Sequence, residues 1–487
     1  MLLLNKSLSL LAAALLLSGC AQLPSAGPSS ALPAPVHEAL QRAGLADDTL
    51  ALVAFPLAPR GQQQQQARTL RLRADQALQP ASTMKLLTSI VALDRLGPNA
   101  RGRTDLLSDG AISGELLAGP LYLRGGADEA LDWGALYGLL RQLRDQGVRE
   151  IRGGLVVDRT LFRPARFDVG QPPFDEQPEF QYNVIPDALA LNSNLLDYQL
   201  NADGQRLAAR VSPAWPGIEI DASAVSLDDK ACGAWEDGWK TPVVETVGAG
   251  QRVRLQGSFP RNCRQSVALN LVDRQWLAAA AVRQIWRELG GTLAAGDREG
   301  PTPAGARVLA SHQGRPLAEL MRGMMKSSDN PLTRMTYLRV GAAAAAPGEN
   351  TLAAAERSVR AWFAEQQIDA TGLVLENGSG LSRLERITPN QLAALLAASA
   401  AGRHGPELLG TLPVVGVDGT MRRRLKGTPV EGRARMKTGT LNNAVAVAGY
   451  VQDSHDQPWV LVGMINAEKA GRGRPALDAL IAWVAAQ

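Results

Sequence analysis

The sequence Pro-Ala-Ser-Thr-Met-Lys at residues 80–85 opens a strongly apolar stretch that continues to residue 96. A spacing of three predicts that Ser82 and Lys85 share one helix face, at an N-terminus whose backbone N–H groups have no helical partner. Lysine can take the proton of a serine hydroxyl only when it is neutral. This requires burial and a nearby second cation to lower its pKa by about 3 units, roughly 4 kcal/mol. Alone, the pair is a weak signal, because on the order of one or two arise by chance at ordinary residue frequencies.

A second motif, Ser328-Asp329-Asn330, lies between an apolar helical pattern at 317–327 and another that begins near Pro331. The residue before a proline is held out of the α region. We therefore expect Asn330 on a rigid turn between two helices, with its side-chain amide free to bind a ligand. Without a partner motif, the same residues would favour a simple helix cap.

A third motif, Lys437-Thr438-Gly439-Thr440, stands at the start of a predicted terminal hairpin. Strand geometry directs Lys437 and Gly439 to one side and Thr438 to the other. The glycine is expected to let a substrate backbone approach the strand edge closely. The lysine supplies a cation and the threonines supply hydroxyls.

Apolar and β-branched segments at both ends of the chain predict sheet strands around a helix-rich interior. They predict two antiparallel hairpins, at 50–57 with 70–72 and at 444–451 with 459–465. The run of glutamines at 62–66 is predicted to be the polar loop of the first hairpin. Helical periodicity marks 317–327, 352–366 and 475–486. The fold class is therefore α+β, with helices packed on an antiparallel sheet.

The stretch between about 105 and 305 has a different pattern and predicts two nested inserted domains. Strand, helix and strand patterns follow one another at 121–124, 133–146 and 154–158, whereas 195–263 alternates short strands with Gly and Pro. We divide the chain into a signal peptide at 1–20, a tether at 21–36, a catalytic part at 37–104 plus 305–487, an inserted α/β domain at 105–194 plus 266–304, and a nested β-rich domain at 195–265.

The N-terminus predicts export. Lys6 precedes an apolar run at 8–17, which is too short to span a bilayer comfortably, and small residues stand directly before Cys20. This pattern resembles a bacterial lipobox, so Cys20 is the predicted lipidated residue. Ala21 follows it, which by resemblance to sorted lipoproteins favours the outer membrane of a Gram-negative bacterium. Plain cleavage, releasing a soluble periplasmic protein, is the alternative.

Charge, cysteine and histidine content limit the kinds of site that the chain can carry. The net charge is only +4 with interspersed signs, so no nucleic-acid-binding stripe stands out. Once Cys20 is assigned to lipid, Cys232 and Cys263 are an even pair in an oxidising compartment and predict one structural disulfide. The four histidines are scattered without metal-ligand spacing, so we expect no metal and no cofactor. A Ser-His-Asp triad is not excluded by sequence, but a complete Ser-x-x-Lys set makes one unnecessary.

The order of the three motifs resembles that of the active-serine penicillin-binding proteins and class A β-lactamases. About 245 residues separate Ser82 from Ser328, and only about 110 separate Ser328 from Lys437. The long first gap resembles the low-molecular-mass class C penicillin-binding proteins, the DacB-type D-alanyl-D-alanine carboxypeptidases and endopeptidases. Segments 377–383 and 416–420 also look like that family's DGSGLSR and GVDGT segments. Asn377, where Asp is common, and 126–129, where many relatives have a Gly-Asp-Pro turn, are departures.

The resemblance implies a role for each motif residue. Ser82 would attack the D-Ala-D-Ala carbonyl with Lys85 as general base, and Ser328 would relay the proton to the leaving amine. Asn330 would hold a substrate amide, and Lys437 would face the terminal carboxylate or lower the pKa of Lys85. Backbone N–H groups of Ser82 and Thr440 would form the oxyanion hole, worth about 3 kcal/mol per donor. The remaining substrate-binding assignments are Thr438, Gly439, Thr440, Arg383 and Asn442.

The implied partners are peptidoglycan stem peptides and β-lactam antibiotics, with the lipid anchor at Cys20 holding the protein to a membrane. Two other functions stay open at this stage. The first is a β-lactamase or esterase that uses the same acyl-enzyme, and the second is a non-catalytic scaffold that binds the cell wall. The balance of carboxypeptidase against endopeptidase action, the preferred third residue of the stem peptide and the oligomeric state are not decided by the sequence.

Overall fold

The computed structural model describes residues 31–57 and 69–487. The predicted signal peptide, Cys20 and the glutamine run lie outside the described residues. Helix α1 begins at Ala34, so residues 34–36 are helical rather than part of the predicted tether. Among the described residues, no helix combines the length and the apolar character needed to cross a membrane.

The described residues form ten α-helices. They are α1 (Ala34–Ala43), α2 (Lys85–Leu96), α3 (Trp133–Asp145), α4 (Arg274–Glu288), α5 (Leu317–Lys326), α6 (Asn330–Ala344), α7 (Thr351–Glu365), α8 (Pro389–Ala401), α9 (Gly405–Thr411) and α10 (Arg474–Ala485).

The strands of the two larger sheets are β1 (Leu50–Pro56), β2 (Leu70–Leu72), β3 (Arg103–Ser108), β6 (Leu121–Gly126), β8 (Leu155–Asp158), β17 (Arg298–Glu299), β18 (Arg307–Gln313), β19 (Ala434–Leu441), β20 (Ala444–Gln452) and β21 (Pro458–Asn466). The other strands are β4 (Ile112–Ser113), β5 (Leu116–Leu117), β7 (Glu150–Ile151), β9 (Leu196–Ala202), β10 (Leu207–Ser212), β11 (Ile218–Asp221), β12 (Val225–Asp228), β13 (Trp239–Val247), β14 (Gly250–Pro260), β15 (Arg264–Leu269) and β16 (Thr292–Leu293).

The two ends of the chain build one antiparallel sheet with the strand order β19-β20-β21-β1-β2. Pairing of β1 with β21, from Leu50 opposite Ile465 to Pro56 opposite Trp459, joins the two predicted hairpins. Successive side chains of a strand point to opposite faces of the sheet, so each face packs against its own set of helices. Helices α1 and α10 bury one face, and α2 with α8 packs on the other. The predicted α+β class is confirmed.

Helix α2 is the central helix of this part of the chain. Every residue from Lys85 to Leu93 is buried, so the helix has no solvent-facing stripe and is enclosed by the sheet and by neighbouring helices. The N-terminal end of α2, which carries Lys85, therefore lies on a rigid support. The C-terminal end stops at Gly97, whose φ of 83° suits glycine.

The inserted stretch forms a second five-stranded sheet in the order β17-β8-β6-β3-β18. Strands β6 and β8 are parallel and are connected through α3, as the strand, helix and strand patterns predicted. Strand β18 pairs antiparallel with β3, which places 307–313, assigned by sequence to the catalytic part, in the sheet of the inserted stretch. The domain bounds themselves stay a prediction.

The nested β-rich stretch contains a three-stranded sheet, β10-β9-β15, and a four-stranded sheet in which β11, β12 and β13 all pair with β14. Its apolar side chains belong to the same buried cluster as those of α3, β6 and β8. The sulfurs of Cys232 and Cys263 lie 2.04 Å apart, which is disulfide distance.

Candidate active site

Ser82 lies on a 3-10 turn, Ala81–Met84, that leads directly into α2. Ala81 has a φ of 47°, a left-handed conformation that turns the chain sharply before the serine. The Lys85 Nζ lies 3.1 Å from the Ser82 Oγ. The predicted shared face of Ser82 and Lys85 is therefore present, at the mouth of the central helix.

Lys85 is completely buried, and three oxygens surround its amine. The Nζ contacts the Ser82 Oγ, the Asn330 Oδ1 at 2.6 Å and the Ser379 carbonyl at 2.5 Å. The amide oxygen and the carbonyl can only accept, so the amine donates to both. A neutral amine has two N–H bonds and one lone pair, and this arrangement leaves the lone pair for the Ser82 hydroxyl proton.

The electrostatic setting favours that neutral form. Burial, followed by the nearby Lys437 cation, holds the pKa of Lys85 well below its usual range. Burial also lowers the pKa of Lys437, to about 7. Lys85 can therefore act as a base in its neutral form, while Lys437 still carries charge below about pH 7.

Asn330 differs from its sequence prediction. It is the first residue of α6 and is buried, and its amide is already engaged: Oδ1 accepts from Lys85 and Nδ2 donates to the Tyr182 carbonyl at 3.1 Å. The expectation of a free amide on the turn was wrong because tertiary contacts use both of its ends. The helix cap in this motif is Asp329, whose side chain accepts from the Leu332 N–H.

Ser328 connects the second motif to the third. Its φ of 61° puts it in the left-handed region, and its Oγ accepts a 2.9 Å hydrogen bond from the Lys437 Nζ. The same ammonium donates to the Thr438 carbonyl at 2.8 Å. Lysine has no acceptor while protonated, so both contacts suit a charged Lys437.

Strand β19 is the edge of the first sheet and carries the third motif. A Cβ on Gly439 would lie 2.6 Å from the Pro80 carbonyl oxygen and 3.0 Å from the Ser82 nitrogen. The expected reason for this glycine was wrong, because the space of the missing side chain is filled by the serine turn and not left for substrate. Thr438 donates from its Oγ1 to the Thr420 Oγ1 at 2.8 Å, and Thr440 is exposed.

The two remaining predicted residues lie at the surface. The Arg383 guanidinium carbon lies 5.2 Å from the centre of the Phe174 ring, at a cavity of about 490 Å³ between the inserted stretch and the loop at 376–384. Asn442 is exposed in the two-residue turn between β19 and β20. Arg383 is thus placed where an inserted segment faces the catalytic part.

Sequence reasoning missed several members of the site. Ser379 and Tyr182 contribute backbone carbonyls, which no side-chain pattern reveals. Thr420 was noted only within a resembling segment. Glu385 is fully buried beneath the loop that carries Ser379, yet a single glutamate among loop residues has no distinguishing spacing. Residues 31–57 and 69–487 contain no cluster of three side chains suited to a metal ion.

Comparison with known proteins agrees with this geometry. A family model described as the D-Ala-D-Ala carboxypeptidase 3 (S13) family matches residues 38–487. The chain is 30% identical over 384 residues to a D-alanyl-D-alanine carboxypeptidase of an Actinomadura species, covering 77% of this chain and 71% of the relative. It is 27% identical over 404 residues to D-alanyl-D-alanine carboxypeptidase DacB of Haemophilus influenzae, covering 80% and 81%.

The fold is also similar to a solved structure. The crystal structure of penicillin binding protein 4 (dacB) from Haemophilus influenzae superposes with a TM-score of 0.77 at 23% identity, covering 93% of this chain and 99% of the other. The predicted penicillin-binding type of fold is thereby confirmed. With a family match over nearly all described residues and a matching fold, this chain belongs to the D-Ala-D-Ala carboxypeptidase 3 (S13) family of serine peptidases.

Proposed function

We propose that this D-alanyl-D-alanine carboxypeptidase works through an acyl-enzyme formed on Ser82, and that it also cleaves peptidoglycan cross-links as an endopeptidase. The observation that carries the proposal is the orientation of Lys85. Two acceptors occupy its N–H groups and its third direction faces the Ser82 hydroxyl at 3.1 Å. Lys85 takes the serine proton as the Ser82 oxygen attacks the penultimate D-Ala carbonyl.

Lys437 is assigned to protonation of the leaving group. Lys437 donates to the Ser328 Oγ at 2.9 Å, so a proton can pass between them. Ser328 then delivers a proton to the departing D-Ala amine. The charge of Lys437 favours a substrate that ends in a free carboxylate, and in its protonated form it disfavours protonation of Lys85.

Substrate positioning is assigned to the edge strand and its surroundings. Strand β19 offers backbone groups on its free edge, so a stem peptide can lie beside Thr438, Gly439 and Thr440 as an added strand. The N–H groups of Ser82 and Thr440 are proposed as the oxyanion hole. Arg383 and Asn442 are proposed to contact more distant parts of the peptide.

The cellular setting is proposed from the N-terminus. Export with a lipid on Cys20 would anchor the enzyme to the outer membrane of a Gram-negative bacterium, and a disulfide between Cys232 and Cys263 would form in that compartment. Globomycin, which blocks lipoprotein signal cleavage, should cause a larger precursor to accumulate. A mature protein that forms normally in its presence would support simple cleavage instead.

The catalytic proposal is tested with labelled penicillin. Wild-type protein should bind one equivalent covalently, and a peptide map should place the label on Ser82, whereas Ser82→Ala should bind none. Release of D-alanine from a pentapeptide muropeptide reports the carboxypeptidase reaction, and conversion of cross-linked dimers to monomers reports the endopeptidase reaction. A penicillin adduct hydrolysed within seconds would favour the β-lactamase alternative. Full complementation of a deletion by Ser82→Ala would favour the scaffold.

A further inference from the structure

The loop 376–385 folds around one buried carboxylate. The Glu385 side chain is 0% exposed. One of its oxygens accepts N–H bonds from Glu376 at 3.2 Å, Asn377 at 2.9 Å and Gly378 at 2.7 Å. The other accepts from Gly380 at 2.8 Å. Four donors on one carboxylate make this an internal anion site built from the chain's own backbone.

The same loop contacts the reactive residues. Its Ser379 carbonyl accepts from the Lys85 Nζ at 2.5 Å. Gly380 packs so closely on the serine turn that a Cβ there would lie 1.9 Å from the Ala81 carbonyl oxygen. The Gly378 carbonyl accepts from the Thr88 Oγ1 at 2.6 Å, one turn of α2 beyond Lys85. The residues that Glu385 holds are therefore those that touch the base and the nucleophile's turn.

We propose that Glu385 is a positioning residue for acyl transfer: its carboxylate orders the 376–380 backbone so that the Ser379 carbonyl occupies one N–H of Lys85 and leaves the lone pair directed at Ser82. The inference rests on the proposed function of Ser82 and Lys85. The Ser379 carbonyl is a contact of Lys85 that belongs to this loop. Glu385 shapes the loop without touching Ser82 itself.

The charges around the pair make the effect measurable. Lys85 interacts electrostatically with Lys437 and Arg334, which lower its pKa, and with Glu385 and Asp329, which raise it. Glu385 also interacts with the buried Arg334 and Tyr337. Burial raises the pKa of the Glu385 carboxyl and the four N–H bonds oppose that rise. Both of its oxygens act as acceptors, which suits the ionised form.

The decisive variant is Glu385→Gln. Glutamine keeps the size of the side chain, so one oxygen can still accept from Glu376, Asn377 and Gly378, but an amide NH₂ then faces the Gly380 N–H. Removing the negative charge also lowers the pKa of Lys85. We expect the second-order rate of penicillin acylation to fall at least tenfold and the acidic limb of its pH profile to move to lower pH.

Two further variants separate positioning from general damage. Glu236→Gln makes the same charge change on an exposed carboxyl of the nested β-rich stretch, away from this loop, and should acylate within twofold of wild type. Glu385→Asp keeps the charge but shortens the reach, so its rate should fall while its acidic limb stays in place. Rates are referred to the active fraction, measured as penicillin bound at the end point, so that unfolded protein does not count as slow protein.

The outcomes are distinct. If Glu385→Gln acylates within twofold of wild type with an unchanged acidic limb, the inference is overturned. If that variant does not fold, a wild-type rate in Glu385→Asp overturns it, and a reduced rate with an unmoved limb supports it. If wild-type Ser82 takes no label at all, it is the proposed function that fails, whatever Glu385 does.

Discussion

Replacing Lys437 with methionine should make the protein more stable at neutral pH while it abolishes activity. Lys437 is completely buried on β19, and burial lowers its pKa from 10.5 to about 7. An unfolded lysine keeps its proton up to about pH 10.5, so the unfolded chain binds more protons than the folded one between pH 7 and that value. Stability contributed by this site therefore rises with pH across the window and is flat below it.

The magnitude follows from the size of the shift. The pKa difference is 10.5 minus 7, or 3.5 units. Burying Lys437 therefore lowers the free energy of unfolding by about 5 kcal/mol at low pH and by about 4 kcal/mol at pH 7. Methionine avoids this cost but loses the hydrogen bonds to Ser328 and Thr438, at about 1 kcal/mol each. We expect Lys437→Met to be about 2 kcal/mol more stable than wild type at pH 7, and the gap to close to about zero by pH 9.

Urea unfolding followed by circular dichroism at pH 7, 8 and 9 measures the gap directly. Exposed Lys426 offers a matched control, because Lys426→Met removes a lysine that pays no burial cost and should show no pH-dependent difference. A Lys437→Met gap that stays constant between pH 7 and 9 would refute the reasoning. It would mean that Lys437 does not lose its proton in the folded protein over this range.

Three other outcomes are expected. Gly439→Ala should slow penicillin acylation more than tenfold, because its Cβ would lie 2.6 Å from the Pro80 carbonyl, whereas Gly410→Ala, with open space around it, should acylate normally. The kcat/KM for peptides ending in a free carboxylate should fall above about pH 7 as Lys437 loses its proton, and a substrate with an amidated end should show a smaller fall, because it loses the proton relay but has no carboxylate contact to lose. Replacing Cys232 and Cys263 together by alanine should cost about 3 to 4 kcal/mol of stability, by the chain-entropy model for a separation of 31 residues, with an unchanged acylation rate in folded protein; equal urea midpoints would count against a disulfide.

Much of the fold could be predicted because the local patterns are strong. Both hairpins and the helices around the second motif appear where periodicity placed them, since alternation and helical spacing depend on neighbouring residues alone. The pairing of β18 with β3 was missed. A pairing between segments about 200 residues apart cannot be predicted from either segment alone, because neither carries a local sequence signal for its partner.

At the site, the sequence by itself predicted the residues that are proposed to react. Ser82 and Lys85 share a helix face through their spacing, and Ser328, Asn330 and Lys437 belong to motifs whose order limits the chemistry. Tertiary structure alone decided which groups hold them. The Asn330 amide oxygen accepts from Lys85, the serine turn fills the space where a Gly439 side chain would lie, and the Glu385 carboxylate binds the backbone of the loop next to Lys85. These contacts join residues far apart in the chain. They depend on backbone groups and on burial, which residue type and spacing do not predict.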